Sequence, residues 1–176
     1  MSEKKSLPGD ARFLAALAAG EGWAFQSLYD FLGERLYRVA FALLGRREDA
    51  EDAVQDVFLS LVRYRKSLLQ VADLPAYVFA ALRRAAAQVA ASRARAPAPL
   101  EAEVPAGVEG DSPGLATDRL ERALRALPEE QREVLHLKIE GELTFAEIAG
   151  VLGVSLHTVA SRYRRALEKL RDRLKE

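Results

Sequence analysis

The stretch Gly153–Leu170, GVSLHTVASRYRRALEKL, decides between an ordinary basic surface helix and an element that reads a DNA groove. On a helical wheel Leu156, Val159, Tyr163, Ala166, Leu167, Leu170 and Leu174 share one face. His157, Thr158, Ser161, Arg164, Arg165 and Glu168 lie opposite, with Arg162 and Lys169 at the edge. Just upstream, LTFAEIAGVLGV (143–154) is a short helix capped by Thr144, with Glu147 three residues on to complete a capping box. It offers Phe145, Ile148, Ala149 and Leu152 to a core, Gly153 permits the positive φ of a tight interhelical turn, and Ser155 is a natural cap for the longer helix. Helix, glycine turn and a second helix with a polar-basic outer face make a helix-turn-helix. The first turns of such a helix enter a major groove about 12 Å wide. Ser155, His157, Thr158 and Ser161 are short enough to approach the bases closely, and Arg162, Arg164 and Arg165 reach guanine edges or phosphates. Taken without its neighbours, the same helix is a solvated amphipathic strut.

Working outward, ATDRLERALRAL (116–127) carries Leu120, Leu124 and Leu127 on one face. PEEQREVLHLKIEG (128–141) opens on proline, has acids in its first turn and stops at Gly141. Before these, Ala94–Gly114 holds Pro97, Pro99, Pro105, Pro113, Gly107, Gly110 and Gly114 without helical periodicity, the composition of an extended linker. The N-terminal part is helical again. Phe25, Leu28, Leu32, Leu36, Val39 and Leu43 recur at three- and four-residue steps until Gly45. Ala50, Ala53, Val54, Val57, Phe58, Leu61 and Val62 repeat the pattern, and a third helix begins at Asp73 as cap with Pro75 in its first turn. A shorter helix over 11–19 precedes them. The expected fold is all-α: two small helical domains, 10–93 and 117–176, joined by a flexible acidic Pro/Gly-rich linker, 94–116.

The chain has 26 basic and 26 acidic residues among 176, a formal charge of zero. The charges are segregated, so the sum says little about partners. Residues 63–95 hold Arg63, Arg65, Lys66, Arg83, Arg84, Arg93 and Arg95 against one acid, Asp73. The linker carries Glu101, Glu103, Glu109 and Asp111, with Asp118 just beyond it, and another acidic cluster comprises Glu48, Asp49, Glu51, Asp52 and Asp56. With no cysteine, disulfides, thiolate zinc sites and a cysteine nucleophile are excluded. No apolar run is long enough to cross a bilayer and no apolar core follows the lysine pair at Lys4 and Lys5, so a cytoplasmic protein that is not membrane-inserted is expected. Glu133 and His136 make one half of a di-metal motif but no second half exists, His157 has no ligand partner, and the acids at 48–56 lack a calcium loop's glycine. No phosphate loop or nucleophile elbow is present. No enzyme, cofactor, metal or small-molecule substrate is expected.

LPEEQREVLHLKIEGELTFAEIAGVLGVSLHTVASRYRRALEKLR resembles the C-terminal promoter-reading domain of bacterial sigma factors of the two-domain, extracytoplasmic-function group. SLYDFLGERLYRVAFALLGRREDAEDAVQDVFLSLVR resembles the family's other domain, above all at DAEDAVQDVF. The resemblance implies core RNA polymerase and promoter DNA as partners, with an anti-sigma factor as regulator. It further implies polymerase contacts at Asp52, Gln55 and Asp56; Tyr77, Phe79, Arg83 and Arg84 near the −10 element; and −35 reading through Ser155, His157, Thr158, Ser161, Arg162 and Arg165. The acidic linker would pass through the polymerase cleft. The chain departs from the family where tryptophan is common at Val62 and Tyr77, asparagine at Arg84, aspartate at Gln88 and lysine at Ala160, which bears on how it captures and melts the −10 element. Two other readings stand beside this one: a stand-alone helix-turn-helix regulator, and a sigma-like mimic that sequesters an anti-sigma factor.

Overall fold

The computed structural model describes residues 11–95 and 115–175, and among these every regular element is helical. The chain divides into two compact units between Ser92 and Arg93. Most of the expected linker, 96–114, lies outside the described residues.

The N-terminal unit contains α1 (Ala11–Ala19), α2 (Gly22–Leu44), α3 (Arg47–Arg63), a 3₁₀ segment (Arg65–Gln70) and α4 (Leu74–Arg95). α2 buries Ala24, Leu28, Leu32, Leu36, Val39 and Ala40, a single stripe at helical spacing, along α3, which buries Ala50, Ala53, Val54, Val57 and Leu61. α1 seats Phe13 and Leu17 over the 3₁₀ segment, whose Leu68 is fully buried. Each such leucine or phenylalanine contributes about 1.5–3 kcal/mol on leaving water. Gly45 ends α2 in the left-handed region at φ 73°, its N–H donating to the Phe41 carbonyl. Asp73 caps α4 as expected, accepting from the Ala76 N–H at 2.9 Å. Not all of the apolar stripe is covered. Phe25 and Phe58 are half-buried and Val62 is exposed, because crossing helices cover only the seam and leave the flanks of a broad stripe beside a groove.

The C-terminal unit contains α5 (Leu115–Arg125), α6 (Glu129–Ile139), α7 (Phe145–Leu152) and α8 (Leu156–Lys175). The last helix packs against the other three and buries Val159, Ala166 and Leu170. One core cluster joins Ala123, Leu127, Leu135, Ala166 and Leu170, with Leu124 and Tyr163 packed on it. Arg119 donates to the Leu174 carbonyl at 3.2 Å, tying α5 to the last turn of α8. Leu120, Leu156, Leu167 and Leu174, expected on the packing face, are exposed. They sit at the ends and margin of the stripe, beyond the reach of the shorter helices that cover its centre. α6 ends near Gly141 as expected, but the left-handed residue is Glu142, at φ 52°. Lys138 Nζ holds this turn by donating to the Leu143 carbonyl at 2.9 Å.

In α6 burial, reinforced by the positive charge of Arg132, lowers the His136 pKa from 6.5 to about 4. The ring therefore stays neutral in the folded chain while the unfolded chain takes up a proton near pH 6.5. Stability held at pH 7 is lost as the pH falls from 6.5 toward 4. Urea denaturation followed by circular dichroism should show the C-terminal unit losing about 2 kcal/mol between pH 7 and pH 5. His136→Gln should flatten that interval, since most carboxylates titrate below it.

Candidate nucleic-acid interface

The helix-turn-helix is built by local hydrogen bonds that its sequence dictates. Thr144 Oγ1 accepts from the Glu147 N–H at 3.2 Å, and the Glu147 carboxylate accepts from the Thr144 N–H at 2.6 Å, a complete capping box. α7 stops at Gly153, φ 66° and ψ 33°, where the Ala149 carbonyl accepts from both Gly153 and Val154 N–H groups. Ser155 then caps α8, its Oγ accepting from the Thr158 N–H at 3.0 Å while the two side-chain hydroxyls bond at 2.8 Å. Phe145 meets Tyr163 edge to face at 5.3 Å between ring centroids, and Lys138 Nζ lies 5.3 Å from the Phe145 ring centroid. These contacts connect α6, α7 and α8.

With Val159 and Ala166 turned inward, His157, Arg164 and Arg165 are exposed and Thr158 and Ser161 partly so. These five, with Ser155 at the tip, form one outward face over the first two and a half turns of α8. The Ser155 and Thr158 hydroxyls are already engaged in capping. Arg162 is placed differently from its expected neighbours: its side chain is only 22% exposed, and Nη2 lies 2.8 Å from Glu130 Oε2 in α6.

In the N-terminal unit Arg83 and Arg84 lie on the exposed side of α4 and Tyr77 is half-buried. Phe79 is a correction. It is fully buried on the same stripe as Leu82 and Ala86, with the Arg35 guanidinium 5.7 Å from its ring centroid, so it packs α4 rather than facing DNA. Arg84 lines a cleft of about 340 Å³ between α3 and α4, together with Asp56, Ser60, Arg63, Tyr64 and Gln88. Gln88, already noted from the sequence as a departure from the family, lies here; sequence reasoning missed Ser60 and Tyr64, and the signal was the four-residue steps from Asp56.

Asp52, Gln55 and Asp56 are all exposed along α3. Gln55 lines the wider groove between α2 and α3, about 830 Å³, whose walls include Phe25, Tyr29, Phe58, Leu59 and Val62 and whose rim carries Asp30, Glu34 and Glu51. Asp56 faces the other cleft, so the three polar residues cap a ridge between two hollows. Tyr29 and Leu59, more than half exposed, were not anticipated. Val62, whose departure from the family was expected to bear on the −10 region, lines the α2–α3 groove.

A helix-turn-helix with a cationic outer face in one unit, and an acid-ridged helical bundle in the other, define a DNA-binding transcription protein. Residues 28–96 match the family model described as Sigma-70 region 2, and residues 117–170 the one described as Sigma-70, region 4. The ECF RNA polymerase sigma factor SigM of Mycobacterium tuberculosis is 34% identical over 163 residues, covering 92% of this chain and 82% of SigM. CnrH, solved in complex with the cytosolic domain of CnrY, shares the fold with a TM-score of 0.70 at 24% identity, over 95% of this chain and 97% of its own. The sigma factor RpoE from Bartonella quintana, solved in complex with the anti-sigma factor NepR, does so with a TM-score of 0.67 at 24% identity, over 86% and 96%. The chain belongs to the extracytoplasmic-function sigma factors. It binds core RNA polymerase and directs promoter-specific transcription initiation, and neither the stand-alone regulator nor the mimic is favoured.

A Cβ at Gly153 would meet no atom within 4 Å, so Gly153→Ala tests the backbone conformation alone. It should cost about 1–2 kcal/mol, read as a lower thermal midpoint of the C-terminal unit.

Proposed function

We propose that the two units divide the work of initiation at particular residues. The C-terminal unit, 117–176, reads the −35 element with His157, Thr158, Ser161, Arg164 and Arg165, and with Ser155 at the helix tip. The observation that carries this reading is the single outward face these residues form once α8 has buried Val159, Ala166 and Leu170. Short hydroxyls and the imidazole meet base edges at the tip, and the paired arginines one to two turns later reach a guanine edge or a phosphate. The N-terminal unit, 10–93, holds polymerase at the ridge of Asp52, Gln55 and Asp56 and meets the −10 element along α4 through Tyr77, Arg83 and Arg84. The segment 94–116 connects them.

The same reading makes the protein a non-enzymatic factor working in the cytoplasm. Among the described residues no helix is long and apolar enough to cross a membrane. The reading includes regulation by an anti-sigma factor, as in the Bartonella quintana complex that shares this fold.

Transcription in vitro with core polymerase on a promoter library tests the assignment. Arg165→Ala should weaken complex formation on the selected promoters by roughly 5- to 150-fold, the worth of about 1–3 kcal/mol for an arginine–base contact. Unchanged transcription would mean that α8 reads with other residues. Asp52→Ala combined with Gln55→Ala should reduce co-elution with core polymerase and leave duplex binding by the free chain intact; full co-elution would move the polymerase surface elsewhere.

A further inference from the structure

Arg162 stands at the border between the buried and outward faces of α8. Its neighbours Val159 and Ala166 are fully buried, whereas Ser161 and Arg165 lie on the outward side. Its stem is packed, its side chain is 22% exposed, and its guanidinium is bonded at 2.8 Å to Glu130, whose own side chain is 69% exposed. Glu130 lies in the first turn of α6, where the helix dipole favours a carboxylate and helps fix its position. An arginine so held already has its anion. Nη2 is committed to the carboxylate while the other N–H groups of the guanidinium remain, so a phosphate would share the cation with Glu130, whose negative charge offsets its pull on the DNA backbone.

We infer that Glu130 is a restraint on DNA affinity: it withholds Arg162 from the phosphate backbone and leaves −35 reading to Arg164, Arg165 and the helix tip. This rests on α8 being the DNA-reading helix. A phosphate contact carries no base sequence, so the restraint acts on all duplexes alike and sharpens discrimination by keeping non-specific binding weak. Glu130→Gln removes the charge while preserving size, and the exposure of Glu130 leaves the core untouched.

The test is a cycle of the full-length wild-type chain, E130Q, R162A and the double variant, each titrated against a fluorescein-labelled 30-base-pair duplex of random sequence at several salt concentrations. E130Q should bind roughly two- to fivefold more tightly, with a salt slope steeper by about 0.9, one further phosphate neutralised. R162A alone should leave affinity near that of the wild type, and E130Q should gain nothing when Arg162 is absent. An equal gain from E130Q with and without Arg162 would mean that Glu130 merely repels DNA, and no gain at all would mean that Arg162 is not withheld; either overturns the inference. Failure of the α8 reading is distinguished by Arg165→Ala in the same titration: it should weaken binding where E130Q strengthens it, and unchanged binding in Arg165→Ala would overturn the α8 reading itself. Thermal midpoints of all five chains show that each is folded.

Discussion

Everything the C-terminal unit presents to the outside follows from how α8 is buried. Val159, Ala166 and Leu170 must leave water together, and three helices converge to cover them. Successive residues turn by about 100° around a helix axis, so fixing that stripe fixes every other side chain of the helix. A rotation by one residue would drive an arginine toward the cluster of Ala123, Leu127 and Leu135, a far larger penalty than any surface contact could offset. Position along the axis is set separately, by the Ser155 cap at one end and the edge-to-face contact of Tyr163 with Phe145 in the middle. Recognition is thus a by-product of packing.

The N-terminal unit uses the same principle with a different result. α3 is sandwiched rather than end-capped, with a groove on its α2 side and a cleft on its α4 side. Its outward ridge is narrow, and the polar residues along it are flanked by exposed Tyr29 and Leu59 and by half-buried Phe58. Desolvated aromatic and aliphatic side chains beside a few fixed polar groups are what a protein-binding surface requires. Of the acids at the rim, Glu34 and Glu51 are already paired with Arg38 and Arg47, at 2.9 and 2.8 Å, which leaves the apolar walls as the groove's main offer to a partner.

Local devices were legible in the chain before any coordinates. The Thr144–Glu147 box, the turn at Gly153 and the caps at Ser155 and Asp73 each involve residues within a few positions of each other, and each formed where its spacing indicated. Periodicity found the helices and most core positions. It failed where a stripe is wider than the surface covering it, as at Leu156, Leu167, Leu174 and Val62, because coverage depends on the length and crossing of other helices. Phe79 failed for another reason: its place near the −10 element came from the family resemblance, and the register of α4 puts the ring inside. The pairing of Arg162 with Glu130 joins residues thirty-two positions apart, and no spacing rule announces it.

That pair also shows which charges matter in a chain whose sum is zero. At physiological salt an exposed charge is screened within about 8 Å, while α8, at 20 residues, is about 30 Å long. Charges at its two ends therefore act independently, and a sum over the whole chain describes no single surface. Within one surface the reverse holds. A carboxylate in direct contact with a guanidinium sits well inside the screening length and offsets part of that cation's pull on any other anion. Counting basic residues on a recognition helix therefore overstates its grip on DNA unless each is checked for an anion already in place, and in α8 Arg162 has one.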